Sequence, residues 1–209
     1  MKVVCISGKA QHGKDTTASL IKECLEQRGE KVLVAHYADL LKYICRTFFG
    51  WDGNKDEKGR HILQYVGTDV IRQKAPDYWV DFLAGFLEIF DGEWDWVLIP
   101  DTRFPNEVDL MKSKFEATHI RVVRPNFVSP LTAEQQNHPS EVALDDYFPD
   151  CYLENSGDMD ALRETVYQSM DAGLEMGLSM TVEEMNGYGT PIHPKTIEAL
   201  EYLKGTYHE

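Results

Sequence analysis

Gly8-Lys9-Ala10-Gln11-His12-Gly13-Lys14-Asp15-Thr16 follows directly on an apolar run, Val3-Val4-Cys5-Ile6, and fits the pattern G-x-x-x-x-G-K. Beyond it, Thr16-Thr17-Ala18-Ser19-Leu20-Ile21 with Leu25 places apolar residues at helical spacing. A strand, a glycine loop and a helix in that order read as a phosphate-binding loop. Its chemistry requires these residue types. Glycines let the backbone approach an anion, successive amides turn inward, and the helix N-terminus adds partial positive charge. Lys14 then reaches the outer phosphates. A glycine turn before a surface helix is the bland alternative, and strand, spacing and lysine together weigh against it.

One position departs from the commonest form of the loop. Where a Ser or Thr hydroxyl usually meets magnesium, the chain carries Asp15, followed by Thr16 and Thr17. A carboxylate is a good hard-oxygen ligand, so Asp15 can hold the ion directly or through water. The other reading is that it only caps or electrostatically favours the first helical turn.

With 209 residues, the chain has room for one α/β domain carrying an insertion, and too little for two large domains. At 43% hydrophobic and 27% charged it has the composition of a folded globular protein. No window offers the ~18 uninterrupted apolar residues of a membrane span. Met1-Lys2-Val3-Val4 runs straight into the first strand without a signal-peptide pattern, so a cytoplasmic location is expected. Cys5, Cys24, Cys45 and Cys151 show no CxxC spacing and read as buried thiols. A net charge of −14 disfavours extended nucleic-acid binding. Small anions remain accessible, because a few arginines focused in a cleft suffice for them.

In chain order, Gly29 ends the first helix, and Lys31-Val32-Leu33-Val34-Ala35 gives a second strand that completes a βαβ unit. Asp39 can start a helix running to Phe48 and Phe49, with Lys42 one turn inside it. Residues 55–92 are helical and aromatic without a strand candidate, and Pro76 suits a helix start. A helical insertion between parallel strands is a natural acceptor site, since clefts form beyond the carboxyl ends of the strands. The run from Trp94 to Ile99 is a third strand delivering Asp101 at its end, in the manner of a magnesium-binding carboxylate. A turn-forming Asp after Pro100 is the alternative. A helix over residues 106–114 and a strand over 118–123 follow. Residues 124–141, proline-rich and polar, read as a mobile loop bracketed by Arg124 and His138, either a lid or an idle excursion. A last strand at 150–155 and a helix at 158–170 close the core. Beyond residue 173 a helical tail is expected, with Ile197, Leu200 and Leu203 at helical spacing.

Several of these stretches together resemble the deoxynucleoside monophosphate kinases of phages and related genomes. They are GKDTTA at 13–18, Ala38-Asp39-Leu40-Leu41-Lys42, LQYVGTDVIR with PDYW at 63–79, DTRFPNE at 101–107 and HPSE at 138–141, in the family's order over about residues 1–170. The resemblance implies a three-layer α/β P-loop kinase with a central parallel sheet, in a single domain over residues 1–209. Its acceptor-binding helical insertion would span about 38–92, its lid about 124–142 and its tail about 173–209. It implies transfer of the γ-phosphoryl of ATP to a deoxynucleotide, with Mg2+ as cofactor, in the host cytoplasm if the gene is a phage's. Nucleic acid and membrane are not implied partners, and a homodimer is left open.

Residue by residue, the resemblance gives the ATP phosphates to Gly8, Gln11, His12, Gly13, Lys14, Asp15, Thr16 and Thr17, and magnesium to Asp15, Thr16 and Asp101. The acceptor falls to Lys42, Arg72, Trp79, Arg124, His138 and Glu141, with Lys14, Arg72 and Arg124 as the catalytic cations. Tyr65, Tyr78 and Trp79 are candidates for an aromatic wall at C2′ of the sugar. Two alternatives stay open: a kinase for another phosphorylated small molecule such as a phosphomevalonate-like acceptor, and an ATP-dependent switch that transfers nothing. PDYW and the helical insertion weigh against the first, and the second would leave Lys42 and Arg72 dispensable.

Overall fold

The computed structural model describes residues 1–54 and 56–171, and the tail expected after residue 173 lies outside the described residues. Along the chain run β1 (Lys2–Ser7), α1 (Lys14–Gln27), β2 (Val32–Val34), α2 (Ala38–Phe48), α3 (Glu57–Gln64) and a π-helical segment (Tyr65–Arg72). Then come α4 (Tyr78–Ile89), β3 (Trp96–Ile99), α5 (Pro105–Phe115), β4 (Thr118–Val123), the single-turn helices α6 (Ala133–Gln136) and α7 (Pro139–Val142), β5 (Cys151–Glu154) and α8 (Met159–Asp171). The five strands form one sheet in the order β2-β3-β1-β4-β5, and every neighbouring pair is parallel.

The alternation of side chains along β1 explains the layers. Val4 and Ile6 point into a core shared with Leu20, Ile21, Leu25, Leu162 and Val166 of α1 and α8. Val3 and Cys5 point the other way, against Val80, Leu83, Leu87 and Met111 of α4 and α5. A strand covered on both faces needs a continuous apolar run, and Val3 to Ile6 supplies it. Helices on both faces of a parallel sheet, with a phosphate loop after the central strand, make this an α/β fold of the P-loop type.

The crossover from β1 reaches β2 in the same parallel sheet, as expected for a βαβ unit, and leaves room between them for β3. The reason is burial. Val97, Leu98 and Ile99 are fully buried, whereas Leu33 and Val34 are only half-buried and belong at the edge. All four cysteines are buried thiols, as their spacing suggested. Among the described residues no helix is long and apolar enough to cross a membrane.

Residues 38–89 build a small core of their own from Cys45, Trp51 and Val66, backed by Leu41, Ile44, Ile62, Leu63 and Ile71. The segment 124–142, expected as a loop without periodicity, contains α6 and α7. Thr132 Oγ1 accepts from Gln135 N while Gln135 Oε1 accepts from Thr132 N, a reciprocal cap that starts α6. His138 Nδ1 accepts from Ser140 N at the start of α7.

Candidate active site

A cleft of about 430 Å³ opens beyond the carboxyl ends of β1, β2 and β3, between the phosphate loop and the helical insertion. The loop is held open by backbone that only glycine adopts with ease. Gly8 has φ of 148°, and a Cβ there would lie 2.5 Å from the Val122 carbonyl oxygen. Gly13, at φ 96°, would place a Cβ 2.5 Å from Asn155 Nδ2, which itself donates to the His12 carbonyl. Lys14 begins α1 and is 7% exposed. Its Nζ donates to the carbonyl oxygens of Gly8 and Lys9, both at 2.9 Å, so it lies curled along the loop. Burial pushes the Lys14 ammonium down to about 7, and the nearby Arg103 guanidinium acts in the same direction.

Three elements supply the rest of the wall. Asp101 emerges at the end of β3, where Oδ1 accepts from Tyr37 N at 3.1 Å and Oδ2 from Ala38 N at 3.0 Å. The carboxylate thus seats the start of α2, and burial raises its proton affinity. Asp15 is exposed beside it in the cleft, with His36 Nε2 3.4 Å from its Oδ1. That contact holds the His36 imidazole above its usual range. Lys42, one turn into α2, pairs with Asp39 at 2.8 Å.

Arg72 closes the insertion side. It donates to Glu107 Oε1 at 2.6 Å and lies 3.8 Å above the Phe104 ring. Glu107 in turn accepts from the backbone amides of Arg103 and Phe104, which starts α5 and fixes the turn after Asp101. Trp79 lines the cleft with its indole N–H committed to the Gly67 carbonyl at 3.1 Å.

Of the residues expected from sequence, Gln11, Lys14, Asp15, Lys42, Arg72, Trp79 and Asp101 share this one cleft. Gly8, His12, Gly13, Thr16 and Thr17 belong to the loop and the first turn of α1 without lining it, and the Thr17 hydroxyl is fully buried. Tyr65 and Tyr78 are 50% and 42% exposed and do not line it either, so of the three aromatic candidates Trp79 is the one in the cleft, beside Tyr37 and Phe104.

Arg124, expected at the acceptor with Lys42 and Arg72, does not line this cleft. Its guanidinium sits 4.6 Å over Phe127, which packs edge-on against His12. Sheet order is the physical reason. The helical insertion follows β2, whereas Arg124 follows β4, which flanks β1 on the opposite side from β3. His138 and Glu141 are also outside the cleft lining. Glu141 instead bridges Ala10 N, at 2.9 Å, and Arg103 Nη1, at 2.5 Å.

Sequence reasoning passed over His36, Arg60 and Arg103, all of which line the cleft. Arg103 carried a usable signal, a cation two residues after the strand-end carboxylate. His36 carried none, because its role depends on Asp15 reaching across from another helix.

Among the described residues no three His, Cys, Asp or Glu side chains gather as a self-sufficient metal site. Asp15 and Asp101 nevertheless offer two hard-oxygen donors to one cleft beside a phosphate loop. Magnesium is commonly held by one or two carboxylates together with substrate phosphates and water, so this donor set fits it.

The family model of deoxynucleotide monophosphate kinase matches residues 49–166. The deoxynucleotide monophosphate kinase of Enterobacteria phage T4 is 32% identical over 105 residues, which are 49% of this chain and 41% of that protein. A protein of Acanthamoeba polyphaga mimivirus, also named for deoxynucleotide monophosphate kinase, is 29% identical over 174 residues, 69% of this chain and 82% of its own. The chain therefore spans less than half of the T4 relative and most of the mimiviral one. Among solved structures, Mycobacterium tuberculosis APS kinase in complex with AMPPNP and APS is 13% identical with a TM-score of 0.49, covering 81% of this chain and 97% of that one. Aquifex aeolicus shikimate kinase is 13% identical with a TM-score of 0.47, covering 84% and 100%. At these scores neither likeness carries an argument. The family match, in contrast, runs over more than half of the sequence, and on that ground the chain belongs to the deoxynucleotide monophosphate kinase family.

Proposed function

We propose that this protein transfers the γ-phosphoryl group of ATP to the phosphate of a deoxynucleoside monophosphate, yielding ADP and the deoxynucleoside diphosphate. The observation that carries the reading is the single cleft with Lys14 and Asp15 on the phosphate-loop wall and Lys42 and Arg72 on the insertion wall. Two anions can meet there only if cations from both walls offset their repulsion.

In the transfer, an oxygen of the acceptor phosphate forms a bond to the γ phosphorus. The bond from that phosphorus to the β–γ bridging oxygen breaks, and ADP leaves with its electron pair. The attacking oxygen is already ionised, so no strong general base is required, and positioning with electrostatics does most of the work. Lys14 would exchange its two carbonyl partners for phosphate oxygens, which restores the proton affinity that burial removes. Bound with ATP, Mg2+ supplies charge neutralisation at the phosphates, with Asp15 as its direct or water-mediated ligand and Asp101 beside it. Arg72 and Lys42 would take the acceptor phosphate, and Trp79 would press on the sugar. Arg124, on the other side of the loop, would serve the donor nucleotide. In this reading residues 1–209 form one kinase domain, with 38–92 as acceptor insertion and 124–142 as lid.

The test is a panel of deoxynucleoside and ribonucleoside monophosphates and phosphorylated metabolites, assayed with ATP and magnesium for ADP release. Turnover of one or more deoxynucleotides is expected. A panel in which only a non-nucleotide phosphate turns over, or none does, would sink the reading.

A further inference from the structure

We propose that Arg103 is a further catalytic residue, contacting the phosphoryl group in flight, and that Glu141 is the residue that positions it. This rests on the kinase reading above and assigns a cation which that reading leaves without a role.

Arg103 stands where the two halves of the reaction meet. It follows β3, the strand next to β1, so its loop emerges between the phosphate loop after β1 and the insertion after β2. It lines the same cleft as Lys14, Asp101 and Arg72.

The guanidinium is only partly used by the protein. Nη1 donates to the Ser140 carbonyl at 3.2 Å and to Glu141 Oε1 at 2.5 Å. Nε and Nη2 make no hydrogen bond within the described residues, so three N–H donors remain for a ligand. Arg72 differs, because both of its terminal nitrogens are engaged, by Pro76, Asn106 and Glu107.

Glu141 ties this arginine to the phosphate loop. One carboxylate oxygen accepts from Ala10 N, inside the loop, and the other holds Arg103. The side chains are 27% and 11% exposed, a setting in which an ion pair contributes little net stability for the desolvation it requires. Positioning explains the pair better than stability does. The fold does not need the side chain at this turn, since Arg103 N is already fixed by Glu107 Oε2 at 2.7 Å. As the acceptor oxygen bonds to the γ phosphorus and the bridging oxygen departs with ADP, charge spreads over the three remaining γ oxygens. A planar guanidinium registered against the loop meets that charge in two places at once.

Steady-state kinetics of R103A, R103Q, E141Q and R103A/E141Q, with ATP affinity from calorimetry, test both parts. R103A and the near-isosteric R103Q should each lower kcat by about 10²–10³-fold, as loss of one preorganised donor does, while ATP affinity stays within about threefold. Added guanidinium salt should restore part of the R103A turnover, which a merely structural arginine would not allow. E141Q keeps an acceptor for Ala10 N and loses the charge that holds Arg103, so kcat should fall by about tenfold with the ATP KM little changed. In the R103A background E141Q should add nothing. A folded R103A or R103Q turning over within about threefold of the parent overturns the catalytic assignment. An E141Q effect of equal size in both backgrounds overturns the positioning role. A parent protein inactive on every deoxynucleotide overturns the kinase reading, and this inference with it.

Discussion

The structural role of Arg72 against Glu107 and the role proposed for it at the acceptor can be separated by choice of substitution. Glu107 is 1% exposed, and burial raises its proton affinity while the Arg72 guanidinium opposes the shift. Arg72→Ala leaves that carboxylate buried with only backbone donors and should cost about 3 kcal/mol in urea unfolding, besides weakening the acceptor. Arg72→Lys keeps the charge but loses the fork, so the acceptor KM should rise by about tenfold with a smaller loss of stability. An unchanged acceptor KM in both variants would remove Arg72 from the acceptor site. A second buried group acts through pH. His119 is fully buried with Nε2 2.8 Å from the Ser7 hydroxyl, and burial pushes its imidazole down to about 4. Above the unfolded value of about 6.5 both states are neutral and His119 contributes no pH dependence. As pH falls toward 4 the unfolded chain takes up a proton that the folded chain refuses, so stability is lost in that window, by up to about 3 kcal/mol. His119→Gln, which retains a partner for Ser7, should flatten the stability profile between those pH values. A profile as steep as the parent's would assign the acid sensitivity elsewhere.

The helical insertion depends on close contacts between its elements. At Gly59 in α3 a Cβ would fall 1.9 Å from the Asn54 carbonyl oxygen and 2.8 Å from Trp51 Nε1, which donates to that same carbonyl. Gly59→Ala must therefore push the 51–54 turn off α3, at a cost of about 1–3 kcal/mol. Because the small core around Trp51 backs Leu63 of the cleft wall, acceptor KM should rise more than ATP KM. A variant with parent stability and kinetics would show that the turn gives way freely. The same packing shows which features the sequence disclosed. The strand, loop and helix from Val3 to Leu25 were legible because apolar period, glycines and lysine are all local signals. Asp101 was legible for the same reason, as the polar end of an apolar run. The insertion of β3 between β1 and β2 was not, since sheet order depends on burial compared across distant segments. Arg124 shares that limit: its position after β4 is readable in the sequence, but the side of β1 on which β4 lies is not. Helices α6 and α7 are too short to display a period, although Thr132 and Gln135 did offer a capping pair. The π-helical turn at Tyr65–Arg72 differs from α-helix by one residue per hydrogen bond, a difference that apolar spacing over eight residues does not resolve.

At the scale of the whole molecule, a chain of net charge −14 can offer a polyanion a site only where it concentrates cations in one place. Lys14, Lys42, Arg60, Arg72 and Arg103 all line the cleft, against the carboxylates Asp15, Asp101 and Glu107. Among the described residues, every one that lines the cleft falls between Ala10 and Ser140. The last described helix, α8, serves the core instead. Leu162, Val166 and Met170 pack there beside α1, with Arg163–Glu23 at 3.1 Å and Arg28–Asp171 at 2.6 Å along the seam. A chain ending after α8 keeps every described residue of the cleft and the core, and the proposed function gives residues 173–209 no phosphate ligand. Truncation at residue 172 should leave kcat per active site within about threefold of the parent, less than ~1 kcal/mol in the barrier. Any effect should fall on thermal stability or on association measured by light scattering, since Ile197, Leu200 and Leu203 stand at helical spacing in the sequence. Active-site titration in a single-turnover experiment keeps a loss of folded protein from being mistaken for a loss of chemistry. A truncated protein that is folded, equally stable and unable to turn over would place an essential group beyond α8.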